Sequence, residues 1–202
     1  MSSVAEAVSA IRAGELVVIP TDTVYGLACT PYHRRAVQAL SELKGRTAGQ
    51  PIALVASSLD TLLECVPELR GRAGVVAGAL LPGPYTLVLP NPARRYPWLA
   101  GVQHDTIGVR VPEVAGRARE ILDSVGALAA TSANRHGGSD PRRLADVPHE
   151  ILASVAAAVD GGELPGVPST VLDLTGHEPR VLRAGAVPAA DALARVTEAL
   201  AQ

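Results

Sequence analysis

Apolar positions recur along the chain with two periods, and the change from one period to the other marks out the elements. Val4, Ala7, Val8 and Ile11 are spaced three and four apart, Ser3 and Glu6 form a capping-box pattern, and Gly14 supplies a stop, which predicts a first helix. Leu16 to Ile19 is a short β-branched run ending at Pro20 and fits a buried strand, and Thr21 to Thr30 reads as a loop followed by a second extended piece. Ala36, Val37, Leu40 and Leu43 mark one face of a second helix, with Gly45 placed to end it at Lys44. A strand is expected at Ile52 to Ala56. A helix capped by Ser57 or Ser58 should follow to about Cys65, and another should run from Pro67 to Leu80 before the Pro82-Gly83-Pro84 turn.

Strands at Tyr85 to Leu89 and Thr106 to Val111 flank Asn91 to Asp105, a Pro- and Arg-rich stretch that reads as a long loop suited to closing over a ligand. A helix at Val114 to Val125 leads through Gly126 to a strand at Ala127 to Thr131. Beyond the polar loop Arg135 to Arg143 come a helix near Pro148 to Ser154 and strands near Ala156 to Val159, Thr170 to Leu174 and Arg180 to Arg183. Ala189 to Leu200 forms a last helix. The mixture predicts an α/β (α+β mixed) fold, a sheet covered by helices; strand order is not contained in the pattern.

Composition narrows the picture. At 202 residues with no linker-like stretch, one domain over 1–202 is expected. Aromatic residues make up 2% and Phe is absent, so Val, Leu, Ile and Ala must build the core, which also counts against a protein that stacks bases on aromatic platforms. The net charge of -2 gives no global pull toward nucleic acid, although Arg34-Arg35, Arg94-Arg95 and Arg142-Arg143 are candidates for a local basic patch. Cys29 and Cys65 lack metal-site spacing and read as reduced thiols, and no metal-ligating set of side chains is evident. The N-terminus has no export-signal pattern, and the apolar stretch Ala73 to Leu89 is broken by Pro82, Gly83 and Pro84, so the cytoplasm is expected and a membrane anchor is not.

Neither G-x-x-x-x-G-K-[ST] nor G-x-G-x-x-G occurs, so a nucleotide would have to be held by other means. Of the 18 Lys plus Arg residues only Lys44 is lysine. A compact ammonium with three donors suits a cluster of phosphate oxygens, while a cation at a helix C-terminus before glycine is equally what the macrodipole favours. As a ligand-facing cation, Lys44 should be removable without unfolding the protein. Hydroxyl-rich loops follow apolar runs at Pro20-Thr21-Asp22-Thr23, Thr131-Ser132-Ala133-Asn134 and Pro168-Ser169-Thr170. Each alone fits an ordinary turn. With Arg110 in a strand and Arg183 at a strand end they supply hydroxyls, amides and cations without paired carboxylates or a Ser/His/Asp set, the makings of a substrate-positioning site.

The ordered motifs Pro20-Thr21-Asp22-Thr23-Val24-Tyr25-Gly26-Leu27, Lys44-Gly45-Arg46, Pro82-Gly83-Pro84-Tyr85-Thr86, Arg110-Val111-Pro112, Ser132-Ala133-Asn134, Pro168-Ser169-Thr170-Val171 and Arg183-Ala184-Gly185 resemble the YrdC-like family, whose best-known members are threonylcarbamoyl-AMP synthases. The likeness runs from about Glu15 to Val187 and is to the short form, without the second C-terminal domain of longer members. It implies a twisted open sheet of mixed parallel and antiparallel strands flanked by helices, with a large concave cavity. It also implies a nucleotidyltransferase that makes threonylcarbamoyl-AMP and pyrophosphate from L-threonine, bicarbonate or carbon dioxide, and ATP, with magnesium. Partner proteins would then transfer the threonylcarbamoyl group to an adenosine next to the tRNA anticodon.

By the same resemblance Thr23, Arg110 and Ser169 would contact threonine with the backbone of Ala130. Lys44, Arg46, Gln50, Thr106, Ser132, Asn134, Ser139 and Arg183 would surround ATP, with Lys44 and Arg46 stabilising charge on the phosphates. This chain departs from the family pattern at Gln50, more often Asn, at Thr47, where Pro commonly follows the K-x-R pair, and at Val55, where longer members offer a His. A second reading, motivated by the arginine pairs, is a YrdC-like accessory factor that binds RNA, double-stranded RNA included, without synthase activity. A third is carbamoyl transfer as in hydrogenase maturation proteins.

Overall fold

The computed structural model describes residues 1–45 and 49–201. Helix α1 (Val4–Arg12) starts where the sequence places it: the Ser3 side chain accepts from the Glu6 backbone and the Glu6 carboxylate accepts from the Ser3 N–H, closing the capping box. Helix α2 (Arg34–Leu43) ends at Lys44, with Gly45 at φ +66°. The remaining helices are α3 (Leu59–Cys65), capped by Ser58, α4 (Gly71–Leu80), α5 (Gly116–Val125), α6 (His149–Leu152) and α7 (Ala189–Leu200). Two start later than the periodicity predicts. Pro67 to Arg70 forms turns instead of helix, with Arg70 extended and Gly71 at φ +59°, and α5 begins at Gly116, at φ +54°, rather than at Val114. In both cases a left-handed glycine sits where a continuous right-handed helix would have to pass.

Strands β1 (Val17–Ile19), β2 (Gly26–Cys29), β3 (Ala53–Ala56), β4 (Tyr85–Pro90), β5 (Thr106–Arg110), β6 (Ala127–Ser132), β7 (Ala157–Ala158), β8 (Thr170–Asp173) and β9 (Arg180–Arg183) build one sheet in the order β7-β1-β2-β6-β3-β5-β4-β8-β9. Pairing is parallel at β7–β1, β3–β5 and β4–β8 and antiparallel elsewhere. The result is the mixed sheet flanked by helices that the resemblance implies.

Side chains alternate across a strand, so each strand serves two layers. One face sends Val18, Leu27, Leu54, Leu87, Val109, Ala129 and Leu172 into the main core under α2, α3, α4, α6 and α7. The opposite face sends Val17, Ile19, Ala28, Val55 and Leu128 against α1 and α5, forming a smaller core. These two helices reach only part of that face. Strands β1 and β2 are buried at every residue, whereas β4, β5 and β8 alternate buried with half-buried. The half-buried positions Thr86, Val88, Gly108, Arg110 and Val171 lie on the floor of a cavity.

Candidate active site

The cavity has a volume of about 440 Å³, within the range that takes a small-molecule ligand. Its walls are the loop after β1, the carboxyl end of β6, the stretch around Pro168, the end of β9 and the long loop between β4 and β5. That loop is sewn to the residues ahead of β3: the Ile52 N–H donates to Leu99 O (2.9 Å) and the Val102 N–H to Gly49 O (3.0 Å). Gly101, at φ +66°, makes the approach possible, since a Cβ there would stand 2.0 Å from Gly49 O. The seam sets Ala100, Val102 and Gln103 on the cavity wall.

One end of the cavity is built around Arg110, the last residue of β5. Its Nη2 donates to Thr23 Oγ1 (2.8 Å) and makes a short ion pair with Asp22, the two charged side chains being 11% and 9% exposed. The Glu113 N–H donates to the other Asp22 oxygen (3.3 Å). Burial raises the Asp22 carboxyl above its usual range against the pull of Arg110. Arg110 Nε is buried with no hydrogen-bond partner among the described residues. A buried guanidinium donor left over in this way costs free energy until an acceptor reaches it.

Beside Arg110, Ser169 is 2% exposed and its hydroxyl meets Thr86 Oγ1 at 2.8 Å. Arg183 Nη2 donates to Ser169 O (2.8 Å) and to its hydroxyl (3.2 Å), close enough to Arg110 for the like charges to repel. Gly185 permits this arrangement, because a Cβ at that position would stand 2.2 Å from Pro168 O. Two guanidiniums therefore face one carboxylate, which leaves this end of the cavity with one positive charge in excess and an affinity for anions.

The second cluster joins the end of α2 to the loop after β6. Lys44 is 3% exposed, and its Nζ donates to Ser132 O (2.6 Å), to Ser132 Oγ (3.1 Å) and, in a short bond, to Asn134 Oδ1. Ser132 Oγ also donates to Asn134 Oδ1 (2.7 Å), and Asn134 Nδ2 donates to Gly138 O and to Asp140 Oδ1 (3.3 Å). Lys44 is thus a clamp inside the protein as well as a charge beside the cavity, through Ser132 on its wall.

Of the residues singled out from sequence, Thr106, Arg110, Ala130, Ser132, Ser169 and Arg183 line the cavity, and Lys44 and Asn134 bond to Ser132 behind it. Thr23 lies behind Arg110, 1% exposed, with its hydroxyl on Arg110 and 3.2 Å from that of Thr21. Gln50 sits between the lining residues Gly49 and Pro51, while Ser139 is exposed on the loop that carries Gly138. Arg46 and Thr47 fall outside the described residues. Val55 is on the wall. Sequence reading gave no role to Thr21, Thr86, Gln103 or Asp22. Strand alternation was the available signal for Thr86, which shares a face with Val88 between the core positions Tyr85, Leu87 and Leu89; Asp22 is marked out only by a contact 88 residues away.

Burial pushes the Cys29 thiol up to about 12, away from the thiolate form. Among the described residues no group of three His, Cys, Asp or Glu is placed to hold a metal ion, and no helix is long and apolar enough to cross a membrane. Three of the six paired arginines have carboxylate partners: Arg95 pairs with Glu68 (2.6 Å), and Arg142 (2.9 Å) and Arg143 (2.6 Å) share Glu163, while Arg34, Arg35 and Arg94 make no ion pair among the described residues.

The Sua5/YciO/YrdC family model, described as telomere recombination, matches residues 9–185. A threonylcarbamoyl-AMP synthase of Pyrococcus abyssi is 37% identical over 181 residues, which cover 88% of this chain and 52% of that protein, so the chain spans about half the length of this relative. A putative threonylcarbamoyl-AMP synthase of Mycobacterium tuberculosis is 37% identical over 185 residues, covering 91% and 84%. Among solved structures, P. abyssi Sua5 complexed with L-threonine superposes with a TM-score of 0.86 at 35% identity, covering 96% of this chain and 57% of that one. Escherichia coli YciO does so with a TM-score of 0.80 at 26% identity, covering 91% and 89%. With the matching motifs gathered about one cavity, the chain belongs to the Sua5/YciO/YrdC family.

Proposed function

We propose that this chain is a threonylcarbamoyl-AMP synthase, converting L-threonine, bicarbonate or carbon dioxide, and ATP into L-threonylcarbamoyladenylate and pyrophosphate. The observation that carries the reading is one cavity that joins a carboxylate-seeking end, made of Arg110, Arg183 and Ser169, to the Lys44, Ser132 and Asn134 cluster. The threonine-bound structure is that of the P. abyssi relative, and its similarity to this fold supports threonine as the amino acid here.

In this reading the threonine carboxylate meets the Arg110 guanidinium, held from behind by Asp22 and Thr23, and the Ser169 hydroxyl, with the Ala130 backbone on the same wall. The deprotonated amine adds to carbon dioxide to give a carbamate, releasing a proton to solvent. A carbamate oxygen attacks the α-phosphorus of ATP, the bond to the bridging oxygen breaks, and pyrophosphate leaves. Charge grows on the phosphate oxygens, where Lys44, Arg46 and Arg183 would stabilise it, with Gln50, Thr106, Ser132, Asn134 and Ser139 around the nucleotide. Among the described residues the polar side chains at the cavity are cations, hydroxyls and the Gln103 amide, which do not make a magnesium cage, so the ion would come as the ATP complex, with phosphate oxygens and water as its ligands.

The product's destination would be the tRNA adenosine next to the anticodon, through transfer proteins in the cytoplasm, and the motif-bearing residues would act as one YrdC-like domain. Carboxylate partners on Arg95, Arg142 and Arg143 weigh against the RNA-binding accessory reading. The test is pyrophosphate release from ATP with threonine and bicarbonate each left out in turn. Dependence on both is expected; release indifferent to threonine rejects the reading.

A further inference from the structure

An arginine at a strand end has several rotatable bonds, and what it recognises depends on what fixes its planar fork. For Arg110 the fixing groups lie on the side away from the ligand. Asp22 and Thr23, on the loop after β1, both take Nη2, and Asp22 is in turn held by the Glu113 N–H from the segment after β5. The Asp22 side chain is 9% exposed and is not on the cavity wall, whereas Arg110 is. Among the described residues its carboxylate is the one set against the two neighbouring guanidiniums, Arg110 and Arg183, in the contacts of this end of the cavity.

We infer that Asp22 is a positioning residue for the amino-acid substrate: from behind, it locks the Arg110 fork so that its Nη1 group faces the carboxylate, and it leaves one net positive charge to receive that carboxylate. The inference rests on the synthase reading. Pinning Nη2 on Asp22 and Thr23 leaves the Nη1 group of Arg110, a residue of the cavity wall, as the donor for a ligand. A carboxylate oxygen is the acceptor that such a charged donor favours. Without Asp22 the guanidinium keeps its charge and loses its orientation. Threonine, as a zwitterion, gains little from the added positive charge because its ammonium opposes the benefit to its carboxylate.

The test is calorimetric binding of L-threonine and, separately, of ATP to the whole chain, with melting temperature as the folding control. Asp22→Asn preserves shape and removes the charge. The expected result is a threonine Kd raised about tenfold or more, the loss of a charge-assisted contact, with the ATP Kd unchanged within about twofold. In an Arg110→Gln background, already weakened, adding Asp22→Asn should cause no further loss, because Asp22 acts through Arg110. Unchanged threonine affinity in Asp22→Asn overturns the inference, as does an equal loss for ATP or a full additional loss in the Arg110→Gln background. If the single variant does not fold, the comparison of Arg110→Gln with the charge-neutral double variant decides the matter alone: equal affinities support the inference and a further loss overturns it. Wild-type protein that binds no threonine rejects the synthase reading itself, a result separate from any of these.

Discussion

The two halves of the sheet solve different problems with the same residues' alternation. From β7 to β3 the strands are sandwiched, with α1 and α5 on one face and the larger helical layer on the other, and their sequences are close to continuously apolar: Val17-Val18-Ile19, Leu27-Ala28-Cys29, Leu54-Val55-Ala56. From β5 to β9 only one face is covered. There the second set of positions is released from core duty and holds Thr86, Gly108 and Arg110 instead. Burial on both faces gives stability, and burial on one gives a floor on which a ligand can lie. The site is therefore located by where the helices stop.

The largest expected effect comes from closing that floor. A Cβ on Gly108 would meet Ala53 Cα and Thr86 Cγ2 at 3.9 Å each, ordinary contact distance, so Gly108→Val should fold while its methyl groups rise into the cavity. Threonine-dependent pyrophosphate release should be abolished with the melting temperature nearly unchanged. An active, fully folded Gly108→Val would show that substrates do not use this floor.

Lys44→Ala should come next, and the structure changes what it is expected to do. The sequence presents a helix-ending lysine whose loss spares the fold. Its Nζ instead serves the Ser132 carbonyl and Asn134 Oδ1, acceptors the variant would leave short of a donor. Activity should fall about 10- to 150-fold, as for a lost charge-assisted contact, and urea denaturation should show a loss of about 1–3 kcal/mol as well. Loss of activity alone would mean that water replaces the clamp without cost.

The elements were largely legible because each is set by local chemistry: the Ser3–Glu6 box, the Gly45 and Gly126 stops and the β-branched runs all act within a few residues. What was not legible depends on contacts across the chain. β2 pairs with β6 although a hundred or so residues separate them, and no periodicity carries that choice. Lys44 reads as a phosphate-holding or helix-ending cation, and its role as a clamp on Ser132 and Asn134 appears only with the partner loop in place. Thr23 reads as a ligand group, yet its hydroxyl is on Arg110, and Asp22 acquires meaning only through the same arginine. The arginine pairs suggested a basic patch because their acidic partners, Glu68 and Glu163, are 27 and about 20 residues away.

The comparison of halves can be sharpened by making one substitution twice. Val18→Ala in β1 removes two methyl groups from a residue that is 0% exposed under the main helical layer, and should cost about 2–3 kcal/mol in urea denaturation. Val88→Ala in β4 makes the same change on the half-buried cavity floor and should cost under about 1 kcal/mol, since little apolar surface leaves a packed environment. The order should reverse for activity, with Val88→Ala altering substrate affinity and Val18→Ala leaving it intact in the folded protein. Equal stability losses would mean that the cavity floor is as well packed as the core.

The smallest effect tests the surface against both halves. Arg142 and Arg143 converge on Glu163, and all three side chains are about half exposed, so water and salt screen the pairs. Glu163→Gln should change stability by less than about 1 kcal/mol and leave pyrophosphate release untouched. The same variant bears on RNA, because it uncovers two arginines that the carboxylate now masks. If the accessory reading held, wild-type protein would already bind double-stranded RNA in a salt-sensitive way, and Glu163→Gln would strengthen that binding and steepen its salt dependence. The synthase reading expects no such binding from the wild type and at most weak, nonspecific attraction in the variant. Glu163 offsets one of the two positive charges it meets and so weakens this surface patch for polyanions, whereas the excess positive charge of Arg110 and Arg183 over Asp22 lies at the cavity.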